Sequence, residues 1–364
     1  MTSLLNRNQG QAGTPRARAR VACAALFAAL LASSMPSEAF HRLESATTLK
    51  SAAPSWDYLT LDPSRGYLFI ARRGDGVAVY DTKSKKLLRT IANTDDANGV
   101  TLIPEFDRGY TANGDGTTTV FKLSTLAPID RIKIGDDADN GFYDPVTKQV
   151  AFTIGENRTV VFVDAKTGTI AGKLPIDSKK LDGTVPDGEG NLFMALRDRN
   201  AVVKIDIAGR KVTDEWKSAP CEEPTGIAYD AANKRIFVGC RGKNPVLAVM
   251  DAQSGTMITT LEIGRGNDGV IYDPTTRKIY TSNGVDANLV IYDQVDADTY
   301  KLAEATTTRP YARTLALDPK SKKIFMVTAE GTTDPSKKMS KGVAPFYPNL
   351  YFADTFTVLT YAPK

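Results

Sequence analysis

Residues 62–91, DPSRGYLFIARRGDGVAVYDTKSKKLLRTI, contain one complete unit of a pattern that repeats along the chain. Asp62-Pro63 reads as a turn and YLFIA from Tyr67 as an apolar strand. Arg72-Arg73-Gly74-Asp75-Gly76 reads as a hairpin turn, VAVYD (Val77 to Asp81) as a strand ending in Asp, and LLRTI (Leu87 to Ile91) as a further strand. Short runs rich in Val, Ile, Tyr, Phe and Thr, bounded by Gly, Pro, Asp and Asn, are strand chemistry. The anchor recurs at Ile103-Pro104, Asp144-Pro145, Pro186-Asp187, Asp230-Ala231, Asp273-Pro274 and Asp318-Pro319, making seven copies spaced 41 to 45 residues apart. Each is followed by an apolar strand such as VAFTI from Val150, IFVGC from Ile236 or IFMVT from Ile324. Third strands recur as VVFVD (Val160 to Asp164), LAVMD (Leu247 to Asp251) and LVIYD (Leu289 to Asp293). No segment has helical periodicity beyond a turn or two, so the chain reads as all-β, and this period predicts four-stranded antiparallel propeller blades.

The last copy has three strands, at Arg313 to Leu317, Lys323 to Val327 and Thr355 to Tyr361, and lacks a fourth. A spare strand, HRLESATTL from His41 to Leu49, precedes the first copy. Lending it to the last blade removes two open sheet edges that would otherwise invite pairing with other chains. The expectation is a single seven-bladed β-propeller domain over residues 40–364, closed by the N-terminal strand.

Ahead of it, RARAR at Arg16 to Arg20 is followed by VACAALFAALLASS and by Ser37-Glu38-Ala39. This is the order of a secretory signal peptide over residues 1–39, cleaved after Ala39. The uncharged run of 14 residues is shorter than the roughly 20 needed to span a bilayer, so no transmembrane segment is expected in the mature chain. The absence of paired arginines within residues 1–39 favours the general secretory route, and Cys23 inside the apolar run argues against a lipoprotein anchor. A periplasmic or secreted location follows. Cys221 and Cys240, the pair left after cleavage, are then expected to form a disulfide. Antiparallel pairing of Tyr229 opposite Arg235 would put residue 240 opposite about 224, within reach of Cys221.

Of the net charge of +4, a surplus of three positive charges lies in the first 39 residues, where Arg7, Arg16, Arg18 and Arg20 face only Glu38. So nearly neutral a body gives no electrostatic case for nucleic acid or an anionic membrane. His41 is the sole histidine, which excludes two-histidine metal sites and bis-histidine haem. A Ser-His-Asp triad could use no other residue.

Tyr110-Thr111-Ala112-Asn113 and Tyr280-Thr281-Ser282-Asn283, each with a Gly turn and a VxVxD-type strand after it, resemble the YVTN-repeat propellers, which include the YncE-like periplasmic proteins. The resemblance spans about residues 41 to 364 and implies the fold and a binding role. Where that family leads into its first strand with Pro-x-Gly, this chain has Asn98-Gly99, Asn140-Gly141, Asp182-Gly183 and Asp268-Gly269, with Asp57, Thr225 and Arg313 at the remaining three positions. Innermost strands surround the channel, so these seven positions predict a polar ring at one mouth. Asp182 to Phe193 and Asn140-Gly141 also look like the gluconolactonase and SMP-30-like propellers. That resemblance implies Ca²⁺ or Mg²⁺ at Asn140, Asp182 and Asp268, with Asn98 as a further ligand, Asp57 replacing the family's Glu, and Asp182 as the catalytic candidate of a lactonase or esterase. The plainer reading of the same residues is that Asn-Gly and Asp-Gly are turn formers that pass through left-handed conformations. On that reading the ring need bind nothing and is ordinary solvated surface; a third reading makes it a site for a small molecule or an extracytoplasmic protein without catalysis, with Arg313 able to neutralise an acidic neighbour.

Residues 329–354, AEGTTDPSKKMSKGVAPFYPNLYFAD, replace a connection that elsewhere takes four to seven residues. Loops this long are usually functional or disordered. Phe346, Tyr347, Tyr351 and Phe352 are too aromatic to sit in water unpartnered, and the loop opens on the face where the first strands begin. A flap over the mouth is therefore geometrically allowed.

Overall fold

The apolar runs become the second and third strands of each blade, where burial is nearly continuous: Tyr67–Ala71 and Val77–Asp81 are buried at all but their outer ends, whereas the outer strand Lys86–Ile91 is exposed along most of its length. Blades stack face to face, so their middle strands are covered on both sides and need not alternate between apolar and polar residues. The protein was analysed as a computed structural model that describes residues 40–339 and 347–364. It contains seven four-stranded antiparallel sheets. Blade one comprises Leu59–Asp62, Tyr67–Ala71, Val77–Asp81 and Lys86–Ile91, and blades two to six repeat this order. Blade seven takes Leu315–Leu317, Ile324–Thr328 and Thr357–Pro363 from the C-terminal end and His41–Thr48 as its outer strand. The expected closure is thereby realised, with His41 opposite Pro363 and Thr48 opposite Thr357.

The core lies between blades. Trp56, Leu68, Ile70 and Tyr80 pack with Phe325, Val327, Phe356 and Val358 across the seam of blades seven and one. A second tie crosses from blade seven to blade six. Buried His41 donates its backbone N–H to Glu304 Oε1 at 2.8 Å, and its Nδ1 is bonded to Oε2 at 2.9 Å.

Around the channel the inner strands approach so closely that glycine is required for space. A Cβ on Gly183 would lie 2.0 Å from the Thr225 carbonyl oxygen, and one on Gly99 would lie 2.2 Å from Asn140 Oδ1. Neither glycine has a positive φ. The turn-former reading of the Asn-Gly and Asp-Gly pairs is therefore corrected: crowding between blades, not a left-handed backbone, selects these glycines.

Cys240 lies opposite Pro224 in the ladder and is bonded to Cys221 with Cα atoms 5.4 Å apart; the expected register is corrected by one residue, since Arg235 faces Asp230 and not Tyr229, and the bulge between Pro224 and Ile227 restores the offset. The bridge joins positions 19 apart, a loop for which the chain-entropy account gives about 3 kcal/mol. No free thiol is expected when the mature protein is unfolded without reductant, and reduction should lower the melting temperature. Two titratable thiols would refute the pairing.

The expected leader, residues 1–39, lies outside the described residues. Among the described residues no helix is long and apolar enough to cross a membrane.

Candidate functional site

The inner strands of blades two to six, which lead in from the channel mouth, each carry a β-bulge. The register shifts between Ala97 and Gly99, Ala138 and Gly141, Leu181 and Thr184, Pro224 and Ile227, and Asn267 and Gly269. A bulge inserts one residue and re-aims its side chain. Counting from the paired residue before each shift, the equivalent positions are Asn98, Asp139, Asp182, Thr225 and Asp268. In blade three the ring position therefore belongs to Asp139, whereas the sequence reading had placed Asn140 there. Asn140 had been aligned on the following glycine, one residue too far.

At the mouth the structure brings together Asp57, Asp139, Asp182, Asp268 and Arg313 around a cavity of about 950 Å³. Asn98 does not reach it: this residue is buried, and its Nδ2 donates to the Ala138 carbonyl at 2.9 Å. Thr225 is spent likewise, its hydroxyl donating to the Asn267 carbonyl at 2.9 Å. Asn140 instead borders a narrower continuation of the channel, about 440 Å³, where its Oδ1 accepts the Gly141 amide at 2.9 Å. Tyr58 and Asp268 border both spaces.

The connections between second and third strands add further groups to the mouth. Arg73, Arg197 and Arg241 come from blades one, four and five, and Tyr347, Pro348, Asn349 and Tyr351 come from the long insertion. The insertion thus places part of its second half at the mouth, while Phe346 lies outside the described residues and Phe352 is exposed. Its hairpin pairs Gly331 with Tyr351, and Tyr351 packs edge-on against Trp56 with ring centroids 4.9 Å apart.

From blade five to blade one the side chains alternate in charge: Arg241, Asp268, Arg313, Asp57, Arg73. Arg313 is the hub. Its Nε donates to Asp268 Oδ2 at 2.6 Å, Nη1 to the Tyr347 hydroxyl at 3.0 Å and Nη2 to the Trp56 carbonyl at 2.9 Å. The same Nη2 lies 3.7 Å from Asp57 Oδ1, and the guanidinium sits over the Trp56 ring. Arg241 pairs with the other Asp268 oxygen, and Arg73 with Asp57 Oδ2 at 2.5 Å. Burial alone would raise the Asp268 carboxyl, but Arg241 and Arg313 outweigh it and hold the group below its ordinary range. At Asp57 burial wins and the carboxyl is raised despite Arg313 and Arg73.

The opposite arc is not compensated in this way. Burial, then the charges of Asp57 and Asp182, push Asp139 well above the usual carboxylate range. Burial and Asp268 push Asp182 up to about 6, against the pull of Arg241, Arg197 and Lys180. Burial and the nearby Asp139 and Asp182 also raise the Tyr58 phenol.

A Ca²⁺ site needs six to eight converging oxygens, and Mg²⁺ an octahedral set. The donors do not fit either ion. Both Asp268 oxygens are engaged by guanidinium groups, Asp57 is shared by two arginines, Asn98 is turned away and Asn140 borders the other space. Among the described residues no group of three or more His, Cys, Asp or Glu side chains is disposed to hold a metal.

Fold and site together define a seven-bladed β-propeller with a charged cavity at its channel mouth, walled on one side by aromatic residues of blade seven. No family model matches the chain. The protein printed as "Uncharacterized protein YncE", from Salmonella typhi and from Salmonella typhimurium strain LT2, is 25% identical over 128 residues, 35% of this chain and 27% of the relative. That weak match and the seven blades agree with the YVTN-type resemblance, although the chain is matched to only about a quarter of those relatives' length. Among solved structures, a chain of Kuenenia stuttgartiensis hydrazine synthase superposes with a TM-score of 0.64 at 17% identity, covering 77% of this chain and 94% of that one. A chain of a mitotic checkpoint complex gives 0.68 at 13% identity, covering 88% and 95%. At such identities these likenesses establish the fold alone.

Proposed function

We propose that the protein is an exported YVTN-like binding module that takes a small charged ligand at its channel mouth. The observation that carries this reading is the cavity of about 950 Å³, lined by seven Lys or Arg and six Asp or Glu side chains. Its size is that of a ligand pocket. A concave charged well suits a small polar molecule better than the flatter face of a protein partner. The divalent-metal lactonase or esterase alternative requires a donor set that the mouth does not supply, and Asp182 then has no metal-bound substrate to act on.

The test is a melting-temperature screen of the mature protein against charged small molecules, repeated with Arg241→Gln and with Asp182→Asn. At least one compound should raise the wild-type transition through linkage and lose its effect in one of the two variants. Lactones and esters should not be turned over. A screen in which no compound acts, or in which every shift survives both substitutions, would overturn the reading. Export is checked by the intact mass of envelope-derived protein, expected to correspond to a chain beginning at Phe40.

A further inference from the structure

We propose that the ligand of the mouth is an organic cation, its ammonium or guanidinium group seated at Asp139 and Asp182. This rests on the mouth being a binding site and adds the chemistry of what binds there.

The argument is one of missing partners. Asp57 and Asp268, the other two aspartates of the ring, each meet two guanidinium groups. Asp139 and Asp182 meet none: among the described residues neither carboxylate has an ion pair. Asp182 is more than nine-tenths buried and lines the cavity, yet its side chain is met only by the adjacent Gly183 amide, 3.0 Å from Oδ1. A buried carboxylate without a partner is costly, and proteins retain one where something else supplies the partner. The two residues occupy equivalent bulge positions in neighbouring blades, so both face the same well.

Charged neighbours bear on them from several sides. Lys180 favours the ionised form of both, and Arg241 and Arg197 that of Asp182, whereas Asp57, Asp182 and Asp268 oppose ionisation of Asp139 and Asp268 opposes that of Asp182; the Tyr58 phenol stands nearby. The balance leaves both carboxyls raised. A cation arriving in the cavity reverses that balance, because it favours the ionised acids and displaces their protons into solvent. The donor set does not suit a divalent metal, whereas a cavity of about 950 Å³ accommodates the carbon skeleton of an organic one. Positively charged groups on the opposite arc, chiefly Arg73 and Arg241, make room for a ligand that also carries a carboxylate.

The experiment uses agmatine, arginine, succinate and CaCl₂ as probes, with calorimetry near pH 6 in two buffers of different ionisation enthalpy. Agmatine or arginine is expected to bind with proton release that makes the heat buffer-dependent. Asp182→Asn should weaken binding about tenfold to a hundredfold, the loss of one charge-assisted hydrogen bond. Without ligand the same variant should melt higher than wild type, since it removes an uncompensated charge. Because the folded chain holds the Asp182 proton more tightly than the unfolded one, stability falls as pH rises from the ordinary carboxylate range through about 6. The gain in Asp182→Asn should accordingly be absent near the bottom of that window and complete above it. Asp139→Asn provides the second variant. A structural role would instead make both substitutions destabilising at every pH, and that result overturns the proposal. Binding of succinate alone, or a Ca²⁺ response, overturns the organic cation but leaves a ligand-binding mouth standing. Failure of both agmatine and arginine to bind overturns it too, while the wider screen decides separately whether the mouth binds anything.

Discussion

Removal of residues 40–48 should abolish recovery of soluble, folded protein. The strand His41–Thr48 pairs with Thr357–Pro363 from His41 to Thr48 with a single bulge at Glu44, and Leu49 continues the contact through its N–H to the Phe356 carbonyl at 2.8 Å. Without it the C-terminal strand becomes an open edge carrying unpaired N–H and C=O groups beside Val358, Leu359 and Tyr361, which are buried in the intact ring. Such an edge is a template for association with other chains. The tie to blade six is lost at the same time, leaving the buried Glu304 without its imidazole and amide partners. A graded comparison separates ring closure from this local contact. His41→Ala keeps the ladder and forfeits the side-chain bonds to Glu304 and to the Lys322 carbonyl and the edge-on contact with Tyr280, so it should remain soluble and cost about 1.5–3 kcal/mol, the range for a hydrogen bond to a charged group. A truncated chain that melts like wild type would show that the seam does not hold the ring.

The repeat was legible because every blade has a turn before its second strand and five of the seven have an Asp at the end of the third (Asp81, Asp164, Asp206, Asp251 and Asp293), at a nearly constant spacing. The closing strand was legible for the complementary reason: the last copy lacked a fourth strand and the chain began with one to spare. The site was only partly legible. Asp139 was missed because the ring was aligned on glycines, which crowding between blades selects, and the bulge separates the crowded residue from the one aimed at the channel. The spacing of 41 residues that separates Asp57 from Asn98 leads from Asn98 to Asp139 and was the available signal. Arg73, Arg197 and Arg241 carried none. They lie in short connections whose composition is that of any turn, and only the propeller's geometry, which gathers seven such connections at one mouth, makes them neighbours. Arg313, which lines the mouth, could be read from the sequence because it stands where the other blades have Asp, Asn or Thr.

Arg313→Met should cost about 3–5 kcal/mol, the penalty for stripping one partner from a buried ionic network. Methionine nearly matches the arginine stem in length and can keep contact with Trp56, so the loss isolates the guanidinium. What disappears is the bond to Asp268 at 2.6 Å, the bond to the Tyr347 hydroxyl at 3.0 Å and the bond to the Trp56 carbonyl at 2.9 Å, all at a group only 13% exposed. Asp268 is left with Arg241 alone and Asp57 with Arg73 alone, so two buried carboxylates lose compensation together. Arg313→Lys should recover little, because an ammonium cannot present the planar fork that meets three acceptors at once. The pH dependence supplies the sign check. The Asp268 carboxyl is depressed in the folded protein, so its contribution is present above the ordinary carboxylate range and lost as pH falls through its folded value. The gap between wild type and Arg313→Met measured by denaturant unfolding should therefore narrow in acid. Pairing the substitution with Asp268→Asn should restore part of the loss, since the second change removes the carboxylate that the first leaves under-compensated. A single-variant cost below about 1 kcal/mol, the level of an exposed ion pair, would mean that the hub is solvated and the mouth is not held together by charge. A large cost with recovery in the double variant would identify the arc from Arg241 to Arg73 as the rigid wall against which the Asp139 and Asp182 side of the cavity is left free to take a ligand.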